Sequence, residues 1–78
     1  MKIRRGGPPP ELFRFLPFGE RLAWLRKWYD LSQQGLARKA RLSQRHVKAL
    51  EADTAQPHDN TVRKLANALK VTVAELVE

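Results

Sequence analysis

The sequence predicts an all-α protein, a compact bundle of five helices behind a basic, proline-rich arm. Three observations predict it. Apolar residues recur at helical spacing in each segment long enough to show a period. Residues that favour helix N-caps stand directly before several of these segments. No run of alternating β-branched and aromatic residues marks a strand, and no segment repeats.

Met1–Pro10 is the arm: Lys2, Arg4 and Arg5, then Gly6-Gly7-Pro8-Pro9-Pro10, which suits neither a helix nor a central strand. Glu11–Phe18 is short and apolar (Leu12, Phe13, Phe15, Leu16, Phe18) and is broken by Pro17. The chain therefore divides into residues 1–17, an arm with a short aromatic segment, and a helical domain over 18–78. A helix from about Gly19 to Asp30 turns Leu22, Leu25 and Arg26 toward the core. The stretch QQGLARKARLSQRHVKALE, Gln33–Glu51, reads as two short helices with a sharp turn between them. Ser32 and Ser43 stand at their N-caps. Leu36, Ala37 and Ala40 are the apolar side of the first, Val47 and Leu50 that of the second, and Leu42 fills the corner. Ala52–His58 is a loop. Asp59–Leu69 forms a fourth helix burying Val62, Leu65, Ala66 and Leu69. Thr72-Val73-Ala74-Glu75 has the form of a capping box and opens a last short helix with Leu76 and Val77.

Seventy-eight residues suit one domain with a modest core. The absence of cysteine excludes disulfides, thiol nucleophiles and cysteine metal sites. No run approaches the roughly 18 apolar residues of a membrane span, and the basic start lacks the apolar stretch of a signal peptide. A cytoplasmic location is expected. The net charge of +7 and a pI near 10.6 call for a polyanionic partner. Charge alone does not choose one; its placement does. Between Gln33 and Lys48 there is no acid, and everything facing outward is basic or amide: Arg38, Lys39, Arg41, Gln44, Arg45, His46 and Lys48. A rigid corner presenting a short positive helix fits a DNA major groove.

This pattern resembles the lambda-repressor-like (Cro/Xre-type) helix-turn-helix family. The segments FGERLAWLRKWYDLSQ, GLARKARLSQRHVKALE, QP and VRKLANALKVTVAEL follow that family's order and spacing from Phe18 to Val77. Arg26, Gln33, Glu51 and Pro57 are its polar signature residues. The resemblance implies a sequence-specific regulator of transcription, a repressor, bound as a dimer to a palindromic site and encoded by a bacterium, archaeon or phage. It implies base reading at Gln44, Arg45 and Ala49, beside Lys48. Arg45 can pair with guanine and Gln44 with adenine through two hydrogen bonds each, and Ala49 can touch a thymine methyl. Gln33 is expected to hold a phosphate at a helix start. Ser43, Arg38, Lys39, Arg41 and His46 are assigned to the DNA backbone, as are Lys2, Arg4 and Arg5 of the arm. The resemblance also implies an ion pair between Arg26 and Glu51, structural in role. Neither His46 nor His58 is read as a metal ligand, and no cofactor is expected.

Three features depart from the family pattern. Arg41 and Asp53 stand where glycine is common; the backbone at the first is either strained or built differently, and aspartate tolerates the left-handed conformation at the second better than most residues. The loop Ala52–Pro57 carries no Lys or Arg. Gly35 inside a helix costs roughly 1 kcal/mol relative to alanine without an evident use.

Trp24 and Trp28 share one helix face away from Leu22 and Leu25. Coverage by Phe13, Phe15 and Leu16 is the preferred explanation; the other is an interface for a second copy or another protein. Val71, Val73 and Val77 are alternative dimer surface. The competing function is an antitoxin-like or bridging module that holds a partner through its aromatic N-terminal region. RNA binding ranks below both because the basic helix offers no aromatic side chain for stacking. No constellation of Ser, His and acid and no phosphate-binding glycine loop suggests an enzyme.

Overall fold

The computed structural model describes residues 15–77. Five helices follow in order: α1 (Phe18–Trp28), α2 (Gln33–Ala40), α3 (Gln44–Glu51), α4 (Asp59–Leu69) and α5 (Val73–Val77). Among the described residues there is no strand. The all-α bundle matches the fold class that the sequence predicts. Helix α1 packs on α3 and α5, and α2 packs on α3 and α4. Leu22, Leu25, Leu36, Val47, Leu50, Leu65 and Leu76 are wholly buried where these faces meet. Each contributes about 1.5–3 kcal/mol relative to exposure. Ala37, Ala40 and Ala66 are almost as deeply buried and small enough to let the helices cross closely.

The caps are local. Ser32 Oγ accepts from the Gly35 amide at 2.8 Å, and Ser43 Oγ accepts from the His46 amide at 3.0 Å. A Cβ on Gly35 would lie 3.1 Å from Ser32 Oγ, so the glycine leaves room for the cap. Before α5, Glu75 N–H donates to Thr72 Oγ1 at 3.0 Å while Thr72 N–H donates to Glu75 Oε1 at 2.8 Å. This reciprocal pair starts a helix too short to persist alone.

Helices α1 to α4 end alike. Asp30, Arg41, Asp53 and Lys70 are left-handed, with φ between 58° and 65°, and none is glycine. After each, an amide reaches back across the turn: Leu31 to Arg26 O, Leu42 to Ala37 O, Thr54 to Ala49 O and Val71 to Ala66 O, at 2.8–3.0 Å. Leu31, Leu42 and Val71 then fold against the core, the apolar contact that accompanies such closures. Val71 is thereby half-buried in its own chain, which leaves Val73 and Val77 as the exposed valines of the three. Closure at Asp30 also ends α1 at Trp28, short of the expected Asp30.

Arg21 is buried at 6% exposure although it is charged. Its Nη2 donates to Leu16 O at 3.3 Å and its Nη1 to Glu75 O at 3.4 Å, joining the start of the domain to α5. The expectation that Phe15 covers the tryptophans is corrected. Phe15 is 84% exposed, whereas its neighbour Leu16 packs on the core. Adjacent residues in so short a turn face different sides, and Leu16 takes the inner one. Leu16 lines one cavity with Trp24, so that part of the expected coverage stands, while Trp24 and Trp28 stack on each other, with ring centroids 5.1 Å apart and planes 13° from parallel, and Trp24 also touches the core. Phe13 and the basic residues Lys2, Arg4 and Arg5 lie outside the described residues.

Candidate nucleic-acid interface

Helix α3 has eight residues, of which two are buried, three exposed and three between. Val47 and Leu50 face the core. Gln44, Arg45 and Lys48 are exposed and Ala49 is half-exposed. At 3.6 residues per turn these four occupy an arc of about 140° opposite the buried pair. His46, half-buried, sits at the edge of that arc. Its first turn holds no acid, so the positive end of the helix dipole and Arg45 act in the same sense on an approaching anion.

Helix α2 stands behind it. Arg38 and Lys39 are exposed in the last turn, where they complement the helix C-terminus, and Arg41 is exposed in the turn leading to Ser43. These three lie at the opposite end of α2 from Gln33. They do not cluster with Gln33.

The C-terminal end of α3 is held by polar contacts. Arg26 Nε donates to Glu51 Oε2 at 2.6 Å and Nη2 donates to Oε1 at 3.1 Å, a two-pronged pair with side-chain exposures of 12% and 7%. The third prong of the guanidinium, Nη1, donates to Leu31 O at 2.8 Å and so ties down the α1–α2 connection. Gln33 Nε2 also donates to Glu51 Oε1, at 3.0 Å. The side chain proposed for phosphate thus has its amide nitrogen turned to Glu51, which links the start of α2 to the end of α3.

Sequence reasoning missed two contributors. Arg21 lies one turn before Leu25 on the core face, and that spacing was the available signal. Asp53 was read only as a residue that tolerates the turn. Its Oδ1 accepts from Gly19 N–H at 3.1 Å across 34 positions of sequence, and no local pattern foretells that. Among the described residues no group of three or more His, Cys, Asp or Glu can hold a metal ion, and no helix is long and apolar enough to cross a membrane.

Two short helices at a sharp corner, the second outward-facing and acid-free in its first turn, define a helix-turn-helix protein. The family described as "Helix-turn-helix" matches residues 22–76, and the chain belongs to this Cro/Xre-type family. It is similar in structure to the restriction-modification controller protein C.AhdI from Aeromonas hydrophila, with a TM-score of 0.75 and 36% sequence identity. The likeness covers 76% of this chain and 89% of that one. No curated protein sequence matches. Family and neighbour together make the protein a DNA-binding regulator of transcription.

Proposed function

We propose that the protein is a non-enzymatic, sequence-specific repressor that reads the major groove of duplex DNA with α3, as a dimer on a palindromic site, in the cytoplasm. The observation that carries this reading is the exposed arc of Gln44, Arg45, Lys48 and Ala49 on a helix whose other face is buried. Arg45 and Gln44 serve as the two-bond readers, Ala49 as an apolar contact and Lys48 as a charged one. Ser43, Arg38, Lys39, Arg41 and His46 face phosphates, with the amide end of α2 at Gln33 adding its dipole. The arm residues Lys2, Arg4 and Arg5 extend the basic surface along the duplex.

One short reading helix covers only a few base pairs, too few to define a unique site, and two-fold symmetry doubles the information. Exposed surface for pairing exists at α5: Val73 and Val77 are 42% and 46% exposed and border a groove of about 150 Å³ with Val62, Asp59 and Arg63. Selection of bound sequences from a random duplex pool tests the reading directly. Inverted repeats about 34 Å apart from centre to centre are expected; recovery of no preferred sequence would refute it. A second reading is favoured by the exposed Phe15 and, separately, by the stacked Trp24–Trp28 pair on α1, which suit a protein partner. Co-purification of one partner from the host, abolished by Trp28→Asp while DNA binding persists, would support that reading.

A further inference from the structure

We infer that Gly19 and Asp53 form a seat that fixes the angle of the reading helix, and so act as specificity-determining positioning residues although neither lies on the reading arc. This rests on the proposed reading of DNA by α3. A Cβ on Gly19 would lie 2.5 Å from Glu51 O, 2.7 Å from Leu50 O and 2.8 Å from Asp53 Oδ2. Two of those three atoms are backbone of the last two residues of α3. The first turn of α1 therefore presses backbone against backbone on the end of the reading helix, and only glycine permits the approach.

The contact is electrostatically matched. The amide end of α1, positive in its dipole, meets the carbonyl end of α3, negative in its dipole. Helix α1 starts after Pro17 and has no side-chain cap from its own segment. The Asp53 carboxylate supplies an acceptor at 3.1 Å from Gly19 N. Asp53 is left-handed, with φ of 58°, in the turn that closes α3, and its side chain reaches Gly19 from there. A glycine there would relieve the backbone but give Gly19 no acceptor. Aspartate at this turn thus has a use beyond tolerating it.

Leverage connects the seat to the bases. To bring a Gly19 methyl to the 3.4 Å of ordinary contact, Glu51 O must retreat by about 0.9 Å from its 2.5 Å clash distance. Helix α3 is only about 12 Å long, so that retreat, pivoting on the buried Val47 near its middle, tilts it by about 8° and carries the Gln44 end a similar distance the other way. Two-bond pairing with a base edge needs placement to about 0.5 Å, whereas attraction to phosphates does not. Disturbing the seat should therefore weaken specific binding and spare non-specific binding.

The test uses the full chain with Gly19→Ala, Asp53→Gly and Asp53→Asn, titrated against the pool-selected duplex and a random duplex of equal length. Amide exchange at Gly19 is followed in parallel. Asp53→Gly should weaken binding to the selected duplex about tenfold and to the random duplex less than twofold, and should speed Gly19 exchange at least tenfold. Asp53→Asn retains an acceptor oxygen and should stay within about threefold on all readouts. Gly19→Ala should show the largest loss of discrimination; Asp53→Gly carries the test if that variant does not fold. Equal losses on both duplexes, or unchanged discrimination in Asp53→Gly, would overturn the inference. A wild-type protein that binds both duplexes alike would refute the specificity reading itself, and with it the claim of specificity made for the seat. Gly19 exchange would still report separately whether Asp53 caps α1.

Discussion

Glu51 gathers three hydrogen bonds, two from Arg26 and one from Gln33, in a site where both members of the ion pair are nearly buried. Glu51→Ala leaves the guanidinium inside without its counter-charge. Stranding one member of a buried pair costs about 3–5 kcal/mol. The lower end applies here, because Arg26 is 12% exposed and keeps its bond to Leu31 O. A domain of this size is stable by only about 4–12 kcal/mol, so a loss of about 3 kcal/mol is a quarter of that or more. It should lower the melting temperature by roughly 12–24 °C. Urea unfolding followed by circular dichroism, with tryptophan fluorescence as a second probe from α1, measures it. Glu51→Gln should fall between, since it keeps one acceptor but turns a donor toward Arg26. The matched change Arg26→Met with Glu51→Leu should recover much of the loss, as apolar replacements of buried pairs often do. An unchanged midpoint in Glu51→Ala would refute the argument, as would a double variant no more stable than the single one.

Arg45→Ala should cost about 1–3 kcal/mol against the selected site and relax preference at one base position. Equal loss on random DNA in a competition titration would make Arg45 a phosphate contact only. Lys70→Gly removes a left-handed side-chain penalty, φ being 59°, at a site away from α3. It should add about 1 kcal/mol, seen as a rise of roughly 4–8 °C in a thermal melt. Tyr29 is the only tyrosine, and burial, with Glu75 adding to it, holds its hydroxyl above the ordinary 10.0. The folded state thus favours the neutral phenol, and its contribution to stability is present below pH 10 and fades as pH rises through the higher folded value. Ultraviolet titration of native protein should show that late ionisation, and Tyr29→Phe should remove the matching part of the alkaline stability loss. Val77→Asp should abolish two-to-one binding on the selected duplex in sedimentation; loss of pairing only with Trp28→Asp would move the interface to α1.

Helical period and cap chemistry made the five helices legible, and for α4 both ends, since Val62, Leu65, Ala66 and Leu69 fall on one side with nothing to compete. The α3 surface was legible for the same reason: burying Val47 and Leu50 leaves Gln44, Arg45 and Lys48 no other side. Contacts between distant segments were less legible. Asp53 looks like a turn residue until Gly19 is seen against it, and the core-face spacing of Arg21 gives no hint of the Leu16 and Glu75 carbonyls that hold its charge there. Lys70 carried no warning, because a left-handed closure without glycine is set by the amides that follow it and by the burial of Val71. The aromatic segment misled for a related reason. Hydrophobicity alone assigned Phe15 and Leu16 to one face, and a single turn of backbone sends them to different ones.

The distribution of acids shows how a small basic protein keeps its fold-holding charges apart from its DNA-facing ones. Both acids near the reading helix, Glu51 and Asp53, sit at its C-terminal end. Glu51 is neutralised by Arg26 at 7% side-chain exposure, and Asp53 is turned onto the amide end of α1. The readers at Gln44 and Arg45 are eight to nine residues from Asp53 and six to seven residues from Glu51, about 10 Å along the axis. That exceeds the roughly 8 Å over which exposed charges act at physiological salt. Carboxylates can therefore fasten α3 to α1 with little repulsion of phosphates at its other end. A helix of only eight residues has too little buried surface to hold its own angle, so the polar clamp at one end supplies what the apolar face cannot. The reading surface is left free to carry whatever side chains the site requires.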